Sequence, residues 1–501
     1  MTTNRRCLII LQTSPIILDK KGFAFMNERE LKRQERKEQR SQLMLKAPMS
    51  KVIPTMALPT IVAFLITSIY GLADTYFVSK LGTNATAAVS VNGSLDQIIM
   101  MAGSMLAIGA NSFIARLLGS GDQKKASNVL STAFGLAFGF GAVVMILGLI
   151  FMTPMVRVLG ATPNCEEYSI QYATYVLLVA PFMAANFVMN QCLRAEGSAT
   201  MSMIGMGAGG ILNCILDPIF IFGFDMGVKG ASIATAISKL VSFAILITPY
   251  LRKQSMLHLA VKNFKPTWEI IKEIVTVGSS SLFRSRLAVV AAILLNREAG
   301  KISDSVLAAI GVTNRIMMFP FGIILGFGSG FQPVAGFNWG AKRYDRVRES
   351  YRFSSVVAIS GATIMAVLVG VFANPIIGLF SEVDPDMLKI GALCIRMQCL
   401  ALPIHAWVMI VNTYCAGLGN AKGALLLSTS RQGTCFIPLL YPASYFFAEY
   451  GLAVVQAVAD ILTLGLAIPV LRSVQKKVSE AEKSLEGTRT DTEKEFDKSV
   501  V

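Results

Sequence analysis

Twelve long apolar runs constrain this chain more than any other feature. They fall at 54–79, 87–115, 129–156, 168–193, 199–223, 230–251, 273–296, 306–334, 353–380, 388–414, 421–446 and 450–472. Each is near or above the ~20 residues that a helix needs to cross the hydrocarbon core of a bilayer. Lipid offers the backbone no hydrogen-bond partners, so runs of this length must pair their amides internally as helices. Charge is segregated to match. Stretches such as 134–151 and 452–471 carry at most one ionisable group, whereas 29–40 and 476–498 are dense with Lys, Arg and Glu. The expected fold is therefore an all-α membrane protein of twelve transmembrane helices, with loops too short for another domain.

The net charge of +15 raises nucleic acid as a partner. The positive residues, however, lie in short segments between apolar runs, which is the positive-inside pattern of a membrane protein, so nucleic acid is not expected. With the first loop placed outside, the inward segments hold Arg116, Lys124, Lys125, Arg252, Lys253, Lys262, Lys265, Lys342, Arg343, Arg346, Arg348 and Arg352. The outward loops hold Glu166, Glu167, Asp225, Asp304, Glu382, Asp384 and Asp386. Both termini are then cytoplasmic, as an even helix count demands. The eight cysteines show no metal-ligand spacing, and neither of the two histidines joins them in one, so no structural metal is expected. The apolar stretch 7–18 is too short to span and lacks a signal cleavage site. The natural start is expected at Met26, which makes 1–25 a start-site artefact.

An internal repeat recurs at a spacing near 222 residues. Gly119-Ser-Gly-Asp-Gln-Lys-Lys answers Gly340-Ala-Lys-Arg-Tyr-Asp-Arg, and Asn190-Gln-Cys-Leu-Arg-Ala-Glu-Gly-Ser-Ala answers Asn412-Thr-Tyr-Cys-Ala-Gly-Leu-Gly-Asn-Ala. Two six-helix lobes related by a parallel repeat follow from this. The expected organisation is a basic N-terminal segment at 1–50, a first lobe at 51–251 and a cytoplasmic linker at 252–272. A second lobe at 273–473 and a polar tail at 474–501, a short fraying helix, complete it. Parallel repeats around a central pathway are a common transporter plan.

Ionisable groups inside a membrane are expensive and by default functional. In the first lobe the acids among them are Asp74, Asp96 and Asp217. Asp74 lies toward the outer end of the first run and Asp217 toward the outer end of the fifth. Asn213 is one helical turn before Asp217, on the same face. Pro218 frees a backbone carbonyl one turn back, and Thr235 enters at a similar depth from the sixth run. Such an oxygen-rich cluster suits a hard cation such as Na⁺ or a proton shared between acids. The structural alternative is that each Asp is merely capped by backbone donors. That alternative weighs most for Asp96, about ten residues into the second run.

The sequence resembles the multidrug and toxic compound extrusion (MATE) family of cation-coupled efflux transporters, over roughly residues 50–472. The resemblance rests on Pro54-Thr-Met-Ala-Leu-Pro, Asp74-Thr-Tyr-Phe-Val-Ser-Lys-Leu-Gly, Gly197 in Arg194-Ala-Glu-Gly-Ser-Ala, the segment from Asn213 through Pro218, and Gln332-Pro-Val-Ala-Gly-Phe-Asn-Trp-Gly-Ala. It implies a bacterial drug exporter of the inner membrane, with a cation site at Asp74, Asn213, Asp217 and Thr235 and H⁺ or Na⁺ as coupling ion. No other cofactor is implied. Substrates would be amphipathic small molecules, and the chain is expected to act as a monomer in the lipid bilayer.

The second lobe departs from the first. At the repeat offset Asp74, Asn213 and Asp217 become Asn296, Cys435 and Leu439, and Asp460 is the one acid deep within a run. Arginines crowd this lobe instead: Arg284, Arg286, Arg315, Arg396 and Arg431. They either snorkel to the interface or line a cavity open to acidic and zwitterionic groups. Candidate cavity residues are Phe182, Phe187, Met201, Met206, Arg284, Met318 and Arg431. The arginines also keep open a lipid-linked oligosaccharide flippase of the related superfamily. An enzyme is not expected, because His258 and His405 belong to no convergent cluster. The glycine-containing turns lack a phosphate-loop pattern, so ATP is not the expected energy source.

Overall fold

The computed structural model describes residues 18–19, 22–23, 28–378 and 385–500. A two-residue ladder, β1 (Leu18–Asp19) against β2 (Gly22–Phe23), precedes the polar helix α1 (Glu28–Lys46). The first lobe comprises α2 (Met49–Ser79), α3 (Thr83–Gly119), α4 (Gln123–Ile150) with the short α5 (Met152–Val158), α6 (Glu166–Ala195), α7 (Ala199–Pro218) and α8 (Gly227–Leu251). The second comprises α9 (Trp268–Ile302), α10 (Asp304–Gly340), α11 (Tyr344–Val371) with the short α12 (Ala373–Gly378), α13 (Pro385–Gly417), α14 (Ala421–Thr429) and α15 (Phe436–Val500). Two π-helical segments, Ile219–Gly223 and Ser430–Thr434, follow α7 and α14.

The twelve expected crossings are found once one long element is divided. The eleventh apolar segment, Ala421–Glu486, contains a break at Ala448, whose φ of 47° and ψ of −127° are not helical. The chain turns there and crosses a second time. Helix ends differ from the apolar runs because helices outlast the hydrocarbon: α9 begins at Trp268, and α10 continues to Gly340. The tail expected at 474–501 as a short fraying helix is instead helical as far as Val500. The start-site reading of 1–25 falls, apart from the two strands, outside the described residues, as do Glu382 and Asp384 of an outward loop.

The repeat is visible in packing. Helix α3 packs on α6 as α10 packs on α13, α4 packs on α6 as α11 on α13, and α6 packs on α8 as α13 on α15. Asn190 donates its side-chain amide to the Ser202 carbonyl at 3.2 Å, and its repeat mate Asn412 donates to Ala424 at 2.8 Å. The turns after α3 and α10 match as well. Each needs a left-handed residue, Gly121 at φ +85° and Lys342 at φ +56°, a conformation natural to glycine and strained for lysine.

Glycine also lets the lobes meet. A Cβ at Gly109 would stand 2.0 Å from the Ile274 carbonyl oxygen, and one at Gly278 would stand 2.0 Å from that of Met105, so α3 and α9 touch backbone to backbone. Gly326 and Gly330 likewise bring α10 against the backbone of α2, where a Cβ would stand 2.8 Å from Ile61 Cα and 2.6 Å from Ala57 Cα. At the basic end, Gly119 meets Phe337 and Gly340 meets Arg116. Ion pairs Arg116–Glu273 (2.5 Å) and Lys125–Glu269 (2.7 Å) join the lobes there. The same face receives α1: Arg346 donates to the carbonyls of Ala47 (2.7 Å) and Met44 (3.4 Å), and Met44 is fully buried. Arg348 pairs with Glu482 of α15. Side chains such as Ile146, Ile150, Ile293 and Val367 remain exposed on the outer surfaces, as a lipid-facing wall requires.

Candidate functional site

Four helices of the first lobe deliver the sequence-predicted residues to one region. On α7, the one-turn spacing lets Asn213 donate to Asp217 Oδ1 at 3.0 Å while it also reaches Thr235 Oγ1 of α8 at 3.4 Å. All three are buried, Asp217 completely. Pro218 follows at once and the helix loosens into the π segment Ile219–Gly223. Such bulges interrupt the regular backbone ladder and are frequent at functional sites. Asp74 on α2 is within electrostatic reach of Asp217 and of Asp96 on α3. Asp74 Oδ1, Asp96 Oδ1 and Asp217 Oδ2 are buried without a hydrogen-bond partner. Three carboxylates thus each keep an unused acceptor, which is costly unless a proton or cation is taken up.

Two groups at this site escaped the sequence reading. Lys239, one turn after Thr235, donates to the Tyr70 hydroxyl at 3.0 Å and lies 5.1 Å from that ring's centre. It is also within electrostatic reach of Asp74 and Asp96. The signal was present: a lone lysine inside the apolar run 230–251 is as anomalous as an aspartate. Tyr172, buried on α6, borders the same acids, but nothing in its apolar surroundings distinguishes it from a core tyrosine.

The second lobe assembles a different chemistry. Arg284 of α9, Phe321 of α10, His405 of α13 and Arg431 line one cavity of about 250 Å³. Arg431 sits in the π segment Ser430–Thr434 and donates to Asp460 at 2.7 Å, so the isolated acid of the sequence has a basic partner. Gln456 also donates to Asp460, at 3.4 Å. Of the other arginines, Arg286 and Arg315 are exposed and Arg396 donates to Asn374 at 3.3 Å.

The apolar candidates are not gathered around Arg284 and Arg431. Phe182 packs in an aromatic cluster with Phe138 and Phe243, with ring centres 5.5 and 5.1 Å away. Phe187 lies against Gly103, and Met201 against the main core. Met206 Sδ accepts from the buried Arg194 at 3.5 Å. Met318 is partly exposed on α10.

The MatE family model matches residues 59–219 and 281–442, one match in each lobe. The multidrug export protein MepA of Staphylococcus aureus is 28% identical over 420 residues, covering 83% of this chain and 92% of that protein. MepA of Staphylococcus haemolyticus is 28% identical over 439 residues, covering 87% and 96%. Among solved structures, MATE in complex with MaL6 superposes with a TM-score of 0.83 at 24% identity, covering 88% of this chain and 99% of that one. An outward-facing multidrug resistance MATE family transporter of the MOP superfamily gives 0.82 at 24% identity, covering 87% and 98%. At that identity the structures speak to the fold.

Proposed function

The chain belongs to the MatE family, and from that premise we propose that it is a multidrug efflux transporter driven by H⁺ or Na⁺ antiport. It is a transporter and not an enzyme. Its substrates are amphipathic small molecules, often cationic. It works as a monomer in the bacterial cytoplasmic membrane with both termini inside, the side toward which the basic face points.

The observation that carries this reading is the buried Asn213–Asp217–Thr235 network, with Asp74 and Asp96 beside it and acceptors unused on all three acids. In one state of the lobes the coupling ion occupies the cluster and offsets its negative charge; in the other it leaves. An ion that binds both states equally drives nothing, so the two states must differ in affinity for it. Asp217 lies where α7 loosens, so a change in its charge acts beside a segment that has already left the α-helical hydrogen-bond ladder for the wider π pattern.

The test is efflux of a fluorescent cation from proteoliposomes under separately imposed pH and Na⁺ gradients. Asp217→Asn should reduce gradient-driven efflux to the level of empty liposomes while the protein remains folded. Full efflux by the variant under either gradient would sink the assignment.

A further inference from the structure

The cavity of the second lobe has an unbalanced charge. Arg431 is neutralised by Asp460 at 2.7 Å. Arg284 has neither an acid nor a hydrogen-bond acceptor among the described residues, although it faces the same cavity near mid-depth of α9. His405 Nδ1 is buried with no partner. Two guanidiniums and one carboxylate leave a positive charge uncompensated inside the membrane, a costly arrangement unless an anion joins it.

The walls add shape to charge. The Arg431 guanidinium lies 4.8 Å from the Phe321 ring centre, and Phe321 meets His405 edge to face at 5.2 Å. Met409 and Leu427 close the apolar side. The volume of about 250 Å³ is below that of a pocket that engulfs a drug-sized molecule. It fits one end of such a molecule: a charged group and the flat ring that bears it. The feature is also specific to this lobe. At the repeat offset Arg284, His405 and Arg431 are Val62, Met183 and Gly209.

We propose that this cavity is an acid-end subsite, which takes the carboxylate, or an equivalent monoanionic group, of an aromatic amphiphile on Arg284. The unpartnered His405 Nδ1 serves as a second donor, and Phe321 stacks on the ring. One negative charge balances the cavity, and a cation is repelled from it. That the occupant is an exported substrate rests on the export reading above; occupancy itself does not, and it is measured without transport.

The experiment is equilibrium binding to the purified full-length protein, in chloride and in gluconate buffers, of two dyes that differ in one group. Rhodamine 110 has a free carboxyl, and rhodamine 123 is its methyl ester. Arg284→Gln should weaken rhodamine 110 about tenfold or more, the loss of a charge-assisted contact, and change rhodamine 123 less than about twofold. Benzoate should displace rhodamine 110 from the wild type and leave rhodamine 123 bound, a comparison that stands if the variant fails to fold. Equal weakening of both dyes, no weakening of either, or benzoate acting alike on both would overturn the subsite. So would chloride protection of the wild type, lost in Arg284→Gln, together with dye binding that the variant leaves intact; the site would then belong to the inorganic ion. Loss of gradient-driven efflux with the dye preference intact would count against the export reading and leave the subsite standing.

Discussion

Replacing Gly340 with alanine places a methyl group inside the crossing of α3 and α10. The added Cβ would stand 1.9 Å from the carbonyl oxygen of Arg116, and the atom in its way is backbone, which cannot rotate aside. Carbon and oxygen rest at about 3.3 Å in close helix contacts, so the two helices must part by about 1.4 Å. Overpacking of this kind costs about 1–3 kcal/mol. The cost falls only on the state in which the basic ends of the lobes are together. A differential of that size moves a two-state equilibrium about five- to 150-fold toward the state that is open at this face. Gly119→Ala acts on the reciprocal contact, at 2.0 Å from the Phe337 oxygen. The double variant should shift little beyond either single one, because one separation accommodates both methyl groups. Spin labels at Ser120 and Arg343, both exposed beside the crossing, read the lobe separation as a distance distribution in which the longer population should grow. Gly139→Ala, with nothing within 4 Å of its Cβ, is the control. If Gly340→Ala leaves both the distances and the melting temperature of the wild type unchanged, the crossing is not the contact described.

Glu196, just beyond α6, is buried and accepts from Ser255 Oγ and the Met256 amide, both at 2.6 Å. Burial raises its carboxyl above the ordinary 4.5, so the folded protein holds the proton more tightly than the unfolded chain. Stability then falls as pH rises above that value. Glu196→Gln should flatten the decline of melting temperature with pH above 4.5; parallel profiles for variant and wild type would count against it. Arg346 holds α1 to the basic face through Met44, Ala47 and Asn338 Oδ1. Arg346→Ala takes the donor from the buried Asn338 Oδ1 and from the Ala47 carbonyl, whereas the Met44 carbonyl keeps Asn338 Nδ2, and each lost contact costs about 1–3 kcal/mol. Trypsin should then cut at Lys46 about tenfold faster or more, and an unchanged cleavage rate would show that the docking lies elsewhere.

The helices were legible because the solvent wrote them. Lipid demands about twenty apolar residues per crossing, and that demand overrides finer propensities. The break at Ala448 was legible only as a dip between two apolar runs, since no proline or glycine stands at the position itself. In the first lobe, Asn213, Asp217 and Thr235 could be brought together because a one-turn spacing and a matching depth are both sequence quantities. Lys239 was missed although the same rule applies to it, and its contact with Tyr70 joins two helices whose facing could not be read from either alone. The partner of Asp460 was hidden for a related reason. The π segment Ser430–Thr434 breaks the 3.6-residue register, so no helical projection aims Arg431 at α15. Phe182 and Met206 could not be placed from the sequence for want of an identifying property: an apolar side chain inside a membrane protein has too many equivalent places to go.

The two lobes share a backbone plan yet exchange their chemistry position by position. Where the first has Asp74, Asp217 and Lys239, the second has Asn296, Leu439 and Ile461; where the second has Arg431 and Asp460, the first has Gly209 and Ser238. The consequence is spatial as well as electrical. A Cβ at Gly209 would stand 2.9 Å from Ser242 Cβ and 3.1 Å from the Ser238 oxygen, so α7 and α8 close directly on each other. In the second lobe an ion pair stands in that gap, and a cavity borders it. The cation uptake proposed for the first lobe must still be felt where the lobes meet. Helix α3 offers the physical route: it carries Asp96 toward its outer end, Gly109 against α9, and Gly119 at the crossing with α10. A packed helix moves as one body, so a charge change that tilts its outer end is opposed or favoured at its basic end by backbone contacts with no slack. The coupling proposed for Asp217 and the closure tested by Gly340→Ala are then two readings of one helix. A variant that frees the crossing should weaken the dependence of lobe position on pH or Na⁺ without touching an acid.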